Sequence, residues 1–235
     1  MSNSVTNTAR LLGAALRALL VLTLVTGVVY PLVVTGVAQG LFPGKANGSE
    51  IEADGKVVGS SLIGQSYDLP PKKGQETPEP DLKWFQGRPA NGLGANSINT
   101  RYGLILSGAT NLAADSGAVD GACPAEPEDG TLCAQVLAAR AAVVKDNSVA
   151  GYTVEPSEVP ADAVTSSGSG LDPAVSPQYA ALQVHRVAAR NGLPVAAVEK
   201  LVEEHTQGRV LGFIGEPRVN VLELNIALKD LAAKR

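Results

Sequence analysis

The chain has 235 residues, 45% hydrophobic and 18% charged, with a formal net charge of −4, values that belong to a folded protein and exclude a disordered chain or a multi-pass transporter. Taking the +2 of Arg10 and Arg17, the only charges in residues 1–17, from −4 leaves −6 on the remainder. A mildly acidic domain excludes nucleic acid as a natural partner.

The first element is apolar. No charge occurs between Ala18 and Gly44, and the run from Leu19 to Phe42 is almost wholly hydrophobic. Roughly 20 helical residues cross a bilayer, so residues 18–42 are expected to form one transmembrane helix after a short tail, 1–17. A cleaved signal peptide with small residues at Gly36–Ala38 is the rival reading, but its apolar core would run to only about 7–15 residues. Arg10 and Arg17 precede the span without an acid, which sets the N-terminus inside and residues 43–235 outside. Gly36 and Gly40 are spaced for close approach of another helix, and the acceptor freed by Pro31 calls for a partner such as Thr26 or a neighbouring helix. Gly and Pro are also ordinary in membrane helices.

The remainder reads as one α+β domain. Residues 43–66 alternate apolar and small residues among turn formers and predict short strands. A surface loop is predicted over 68–81 from Pro70, Pro71, Pro78 and Pro80 with Lys72 and Lys73. Residues 115–133 predict a second loop holding Cys123 and Cys133, which can close it as a disulfide outside the cytoplasm or stand as free thiols. The two histidines, His185 and His205, lie too far along the chain from these cysteines for a paired zinc pattern. Helices are predicted over Leu132–Lys145, with Val136, Ala139 and Val143 on one face, and from Ser176 as N-cap with Pro177 first to Gly192, carrying Ala180, Val184, Val187 and Ala188 inward. A third runs from Pro194 to Gly208, with Val195, Val198, Leu201 and Val202 inward. Val210–Ile214 and the alternation Leu222, Leu224, Ile226, Leu228 predict two strands joined by a turn at Gly215–Pro217.

Few residues suggest chemistry. The loop Thr165–Pro173 leads towards a helix N-terminus and has the composition of an anion cradle, but lacks the Lys of a phosphate loop and the first Gly of a nucleophile elbow; a tight turn using Gly168 and Gly170 fits better. A hydrolase would need Ser169 with His185 or His205. Trp84, Phe85 and Arg88 form a cluster that suits either a partner surface or core plus turn.

Several stretches together resemble one family: TGVVYPLVVTG (26–36), ANGS (46–49), VGSSLIGQ (58–65), FQGRP (85–89), SSGSGLDP (166–173), QVHRVAARNGL (183–193) and HTQGRVLGFIGEPRVNVLELNIAL (205–228). The chain is similar throughout to the C subunit of the bacterial Kdp potassium-pumping P-type ATPase, and departs from it in the Pro-rich and Cys-bearing loops. The resemblance implies a non-catalytic subunit in the bacterial cell membrane, beside a channel-like potassium-translocating subunit, a P-type ATPase subunit, a small stabilising subunit and membrane lipid. It implies a catalytic chaperone that raises the pump's ATP affinity, with Gln183 at the position proposed to contact ATP. The charge rule places Gln183 outside, away from ATP, and its spacing from Ala180 and Val187 suits a structural hydrogen bond. No cofactor or metal is expected on this chain itself. The alternative is a tethered binding module or hydrolase.

Overall fold

A computed structural model describes residues 2–70, 72, 78–89, 107–108, 116–120 and 122–234. Of the predicted loops, Pro71, 73–77, residue 115 and residue 121 lie outside the described residues. Two compact units divide the chain, residues 1–50 and 51–235.

In the first unit the helical path begins at Ser2, well before the expected Ala18. It runs as α1 (Ser2–Leu24), one π turn (Val25–Val29) and α2 (Tyr30–Leu41). Ala, Leu and Arg between residues 9 and 17 are strong helix formers, which is why the polar flank continues the apolar helix. The charge-free part, Ala18–Leu41, rises about 36 Å at 1.5 Å per residue, enough to cross a bilayer. The π turn is the local answer to Pro31, which follows it as the second residue of α2. Widening the ring lets the Tyr30 N–H reach Val25 O instead of the usual fourth residue back. Thr26 does not serve Pro31 as expected, because its hydroxyl donates to Leu22 O at 2.7 Å. Beyond Phe42, Pro43–Ala46 (α3) is a helical turn, not strand material.

The second unit is an α+β domain. Strands β1 (Glu50–Ala53) and β2 (Lys56–Ser60) form a hairpin. Its two-residue turn is Asp54–Gly55, both at positive φ (52° and 70°), the conformation that matches strand twist. Helix α4 (Leu132–Asn147) is capped by Thr131, whose hydroxyl accepts from Ala134 N. Strand β3 (Ala174–Val175) precedes α5 (Pro177–Asn191), which starts at Ser176 with Pro177 first and stops at Gly192 in the left-handed conformation. Helix α6 (Val195–Glu204) is shorter than expected, because Thr206–Gln207 leave it to form β4.

The largest departure lies at the C-terminus. Val210–Ile214 is no strand but a tight turn closed by one bridge, and Leu222–Leu228 belongs to helix α7 (Val221–Ala233), which follows β5 (Arg218–Asn220). The stretch fits two periods: every second position for Leu222, Leu224, Ile226 and Leu228, and the helical spacing of Val221, Leu224, Asn225 and Leu228, all buried in the structure. Asn220 decides between them. Its Oδ1 accepts from the N–H groups of Leu222 and Glu223, at 3.1 and 3.2 Å, and so starts a helix where a strand would continue.

Strand β5 is the centre of a three-stranded antiparallel sheet ordered β3-β5-β4, with Val219 opposite both Val175 and Thr206. Val219 is completely buried, as are Val187 of α5, Val198 of α6 and Leu224 of α7. These side chains join Phe85, Ala180 and Val154 in one core, with Val143 of α4 at its edge.

Candidate functional site

Three of the seven buried polar side chains among the described residues, Gln183, Arg186 and Asn225, converge on one segment, Leu82–Arg88. The segment has no secondary structure of its own, so its backbone groups need partners from elsewhere. Two amides supply them as strand-like pairs. Asn225, fully buried on α7, accepts from Phe85 N and donates to Phe85 O, both at 2.9 Å. Gln183, fully buried on α5, accepts from Gln86 N at 2.7 Å and donates to Gln86 O at 3.0 Å. Gln86 continues the network by donating its amide to Tyr67 O and Asp81 O.

Arg186, one helical turn after Gln183 and 1% exposed, completes the clamp. Its guanidinium donates to Leu82 O (2.5 Å), Trp84 O (2.9 Å), Asn147 Oδ1 (2.8 Å) and Gln183 Oε1 (2.6 Å). All four acceptors are neutral. Burial therefore pulls the Arg186 pKa down to about 10, with the Tyr179 ring and Asp146 acting weakly the other way. The fork geometry of arginine lets one side chain tie α4, α5 and the segment together, which a lysine could not do.

Beside the clamp lies a groove of about 390 Å³ lined by Asp68, Arg88, Asp146, Tyr179 and Arg186 among others. Burial pushes the Asp68 carboxyl above its usual range, against a hydrogen bond from Ser66. Burial raises Asp146 too, opposed by Arg186. The groove thus holds half-buried acids beside Arg88 and the buried Arg186, with the Ser66 hydroxyl bonded to Asp68.

Arg88 holds the small-residue loop. It donates to Thr165 O and Ser166 O and pairs with Asp172 at 3.5 Å. The loop spends its own N–H groups internally: Gly170 N on Ser167 O, Leu171 N on Ser169 Oγ, and Asp172 N on Ser167 Oγ. The N-terminus of α5 is already occupied by a carboxylate, since Asp162 accepts from Ser176 N at 2.6 Å and from Ser176 Oγ at 2.9 Å. No anion cradle remains there; Asp162 takes the position an anion would fill.

The other predicted residues are placed as follows. Phe85 is fully buried core and not partner surface, because its backbone is gripped by Asn225. Trp84 is half-buried against Tyr67, ring centres 6.3 Å apart. Cys123 and Cys133 are joined as a disulfide. The Ser169 hydroxyl bonds to Leu171 N and Ser167 Oγ of its own loop, whereas His185 stacks on Tyr152 at 3.8 Å and His205 sets Nδ1 2.8 Å from Leu201 O, so the three do not assemble. At Gly36 and Gly40 an added Cβ would meet nothing within 4 Å. Sequence reasoning missed Arg186, Asn225 and Asn147. The available signal was a polar residue at an inward helical position, one turn from apolar neighbours on each side.

Such an arrangement defines a domain whose polar interior is spent on holding its own fold, in a chain with one N-terminal helix long and apolar enough to span a membrane. The family model described as "K+-transporting ATPase, c chain" matches residues 12–230. The chain is 72% identical over 233 residues to the potassium-transporting ATPase KdpC subunit of Streptomyces avermitilis, covering 99% of both chains. Identity to the KdpC subunit of Gemmatimonas aurantiaca is 46% over 222 residues, 93% of this chain and 94% of that one. The chain therefore belongs to the KdpC family and is a component of a potassium-transport complex.

Proposed function

We propose that this chain is an accessory, non-catalytic subunit of an ATP-driven potassium uptake pump. It stabilises the assembly of a channel-like subunit, a P-type ATPase subunit and a small stabilising subunit in the bacterial membrane. The observation that carries the non-catalytic part is the clamp: Gln183, Arg186 and Asn225 are buried and bonded to the chain's own backbone. A residue so engaged builds a scaffold rather than reacting with a substrate.

The domain sits outside the cytoplasm in this reading, with the N-terminus inside. Arg10 and Arg17 before the span support it, and the Cys123–Cys133 bond adds support, since disulfides persist in oxidising compartments. Gly36 and Gly40 offer a smooth helix face on which a neighbouring membrane helix can pack. Gln183 as an ATP contact draws no support from its surroundings: it is fully buried, its Oε1 accepts from both Gln86 N and Arg186, and its Nε2 is given to Gln86 O. Any rise in the pump's ATP affinity then comes through assembly of the complex, not through a nucleotide bound by this side chain.

The test is to purify the pump with and without this chain. Loss of subunit stoichiometry and potassium-stimulated ATP hydrolysis is expected, and a fully active complex lacking the chain would overturn the proposal. A protease added to intact spheroplasts should remove a tag placed after Arg235; protection of that tag would reverse the orientation.

A further inference from the structure

Among the described residues of the folded unit, the most apolar stretch of surface is a loop tip. Val210, Leu211, Phe213 and Ile214 are 61%, 79%, 73% and 50% exposed. Their turn is held by reciprocal backbone bonds between Val210 and Ile214, at 2.9 and 3.0 Å, and its base by the Arg209–Glu216 ion pair at 2.7 Å. Leu211 stands at φ 54°, a conformation that a branched apolar side chain adopts at a cost. The tip is a fixed shape that holds hydrophobic side chains in water.

We infer that this tip is a docking anchor, inserted into an apolar recess on another membrane-embedded chain of the same pump. The inference rests on the reading of this chain as a pump subunit. Area selects the occupant first. The tip offers on the order of 500 Å², below the roughly 800 Å² per partner of a stable interface, so it cannot by itself hold a second copy or a soluble protein. It suffices for a partner already kept in the same bilayer, where the N-terminal helix makes the second contact effectively intramolecular.

Charge and rigidity argue against lipid. Loops that anchor in the headgroup layer carry Trp, Tyr or unpaired basic residues; this tip has none, and Arg209 at its base is neutralised by Glu216. A preformed shape gains affinity in a shaped recess, whereas a fluid acyl layer returns nothing for it.

The experiment uses the full chain in membranes containing the other pump chains, with a photoactivatable benzoyl-phenylalanine at position 213. Illumination should give a covalent adduct with another pump chain, identified by mass spectrometry. The L211S/F213S double variant should retain its near-ultraviolet circular dichroism, both positions being exposed, and recover other pump chains after detergent extraction about tenfold less well than wild type. Adducts with lipid alone, or with a second copy alone, would overturn the docking inference, as would undiminished recovery by the double variant. Failure of the wild-type chain to recover any pump chain would instead sink the subunit reading beneath it.

Discussion

Replacing Arg186 with Met tests whether the buried clamp, rather than the apolar core alone, holds the domain together. The side chain makes four charge-assisted bonds to neutral acceptors, at about 1.5–3 kcal/mol each. Against them stands the burial of the cation, on the order of 3 kcal/mol for a pKa drawn down to about 10. The low end of the bond estimate leaves a net loss of about 3 kcal/mol in R186M, at the lower edge of the ~3–5 kcal/mol typical when one member of a buried charged network is removed. Met fills much of the volume, so the deficit comes from acceptors such as Leu82 O and Asn147 Oδ1 left without their donor. For a domain of this size the melting temperature should fall by at least about 6 °C, measured by circular dichroism on the full chain in detergent. The deficit should be flat between pH 5 and 9: a folded pKa lowered to about 10 changes proton uptake on unfolding only from about pH 10 upward. R186K, with a point charge in place of a fork, should fall between the two. If R186M melts within 2 °C of wild type, the clamp is incidental and the reasoning fails.

Asn225→Leu keeps the volume but orphans both Phe85 N–H and C=O; a loss of about 2–4 kcal/mol is expected, and N225L as stable as wild type would deny the backbone pairing any energetic role. Asp68→Asn should stabilise the protein at pH 7 and make no difference near pH 3. The folded carboxyl is raised by burial, so its contribution to stability is present below the unfolded carboxylate pKa and lost as pH rises through the folded one; a pH series of melting curves checks the sign. The C123S/C133S double variant opens a loop with a sequence separation of 10 and should cost about 3 kcal/mol in the chain-entropy model, an effect reproduced on wild type by reductant and absent from the double variant. Gly59→Ala places a Cβ 2.2 Å from Gln65 Nε2 and 2.8 Å from Leu222, breaking the Gln65 bond to Val58 O; a loss of about 1–3 kcal/mol is expected in the same melting assay.

What the chain's order of residues determined by itself is whatever local physics decides. Twenty-four uncharged residues from Ala18 define a membrane-length helix, Ser176–Pro177 start α5, Gly192 stops it, and the apolar stripes of α4, α5 and α6 point inward as their spacing requires. Tertiary structure decided the rest. Leu222–Leu228 satisfied two periods at once, and only the Asn220 cap and the packing of Leu224 and Leu228 against the core chose the helix. Val210–Ile214 carries strand-forming residues, yet finds no neighbouring strand and ends as an exposed turn. The partners of Gln183, Arg186 and Asn225 lie between 39 and 140 residues away, apart from the Arg186–Gln183 bond, and no periodicity encodes a pairing at that distance. A buried amide or guanidinium is legible in sequence only as a misplaced polar residue; which backbone it satisfies is settled when the helices close around it.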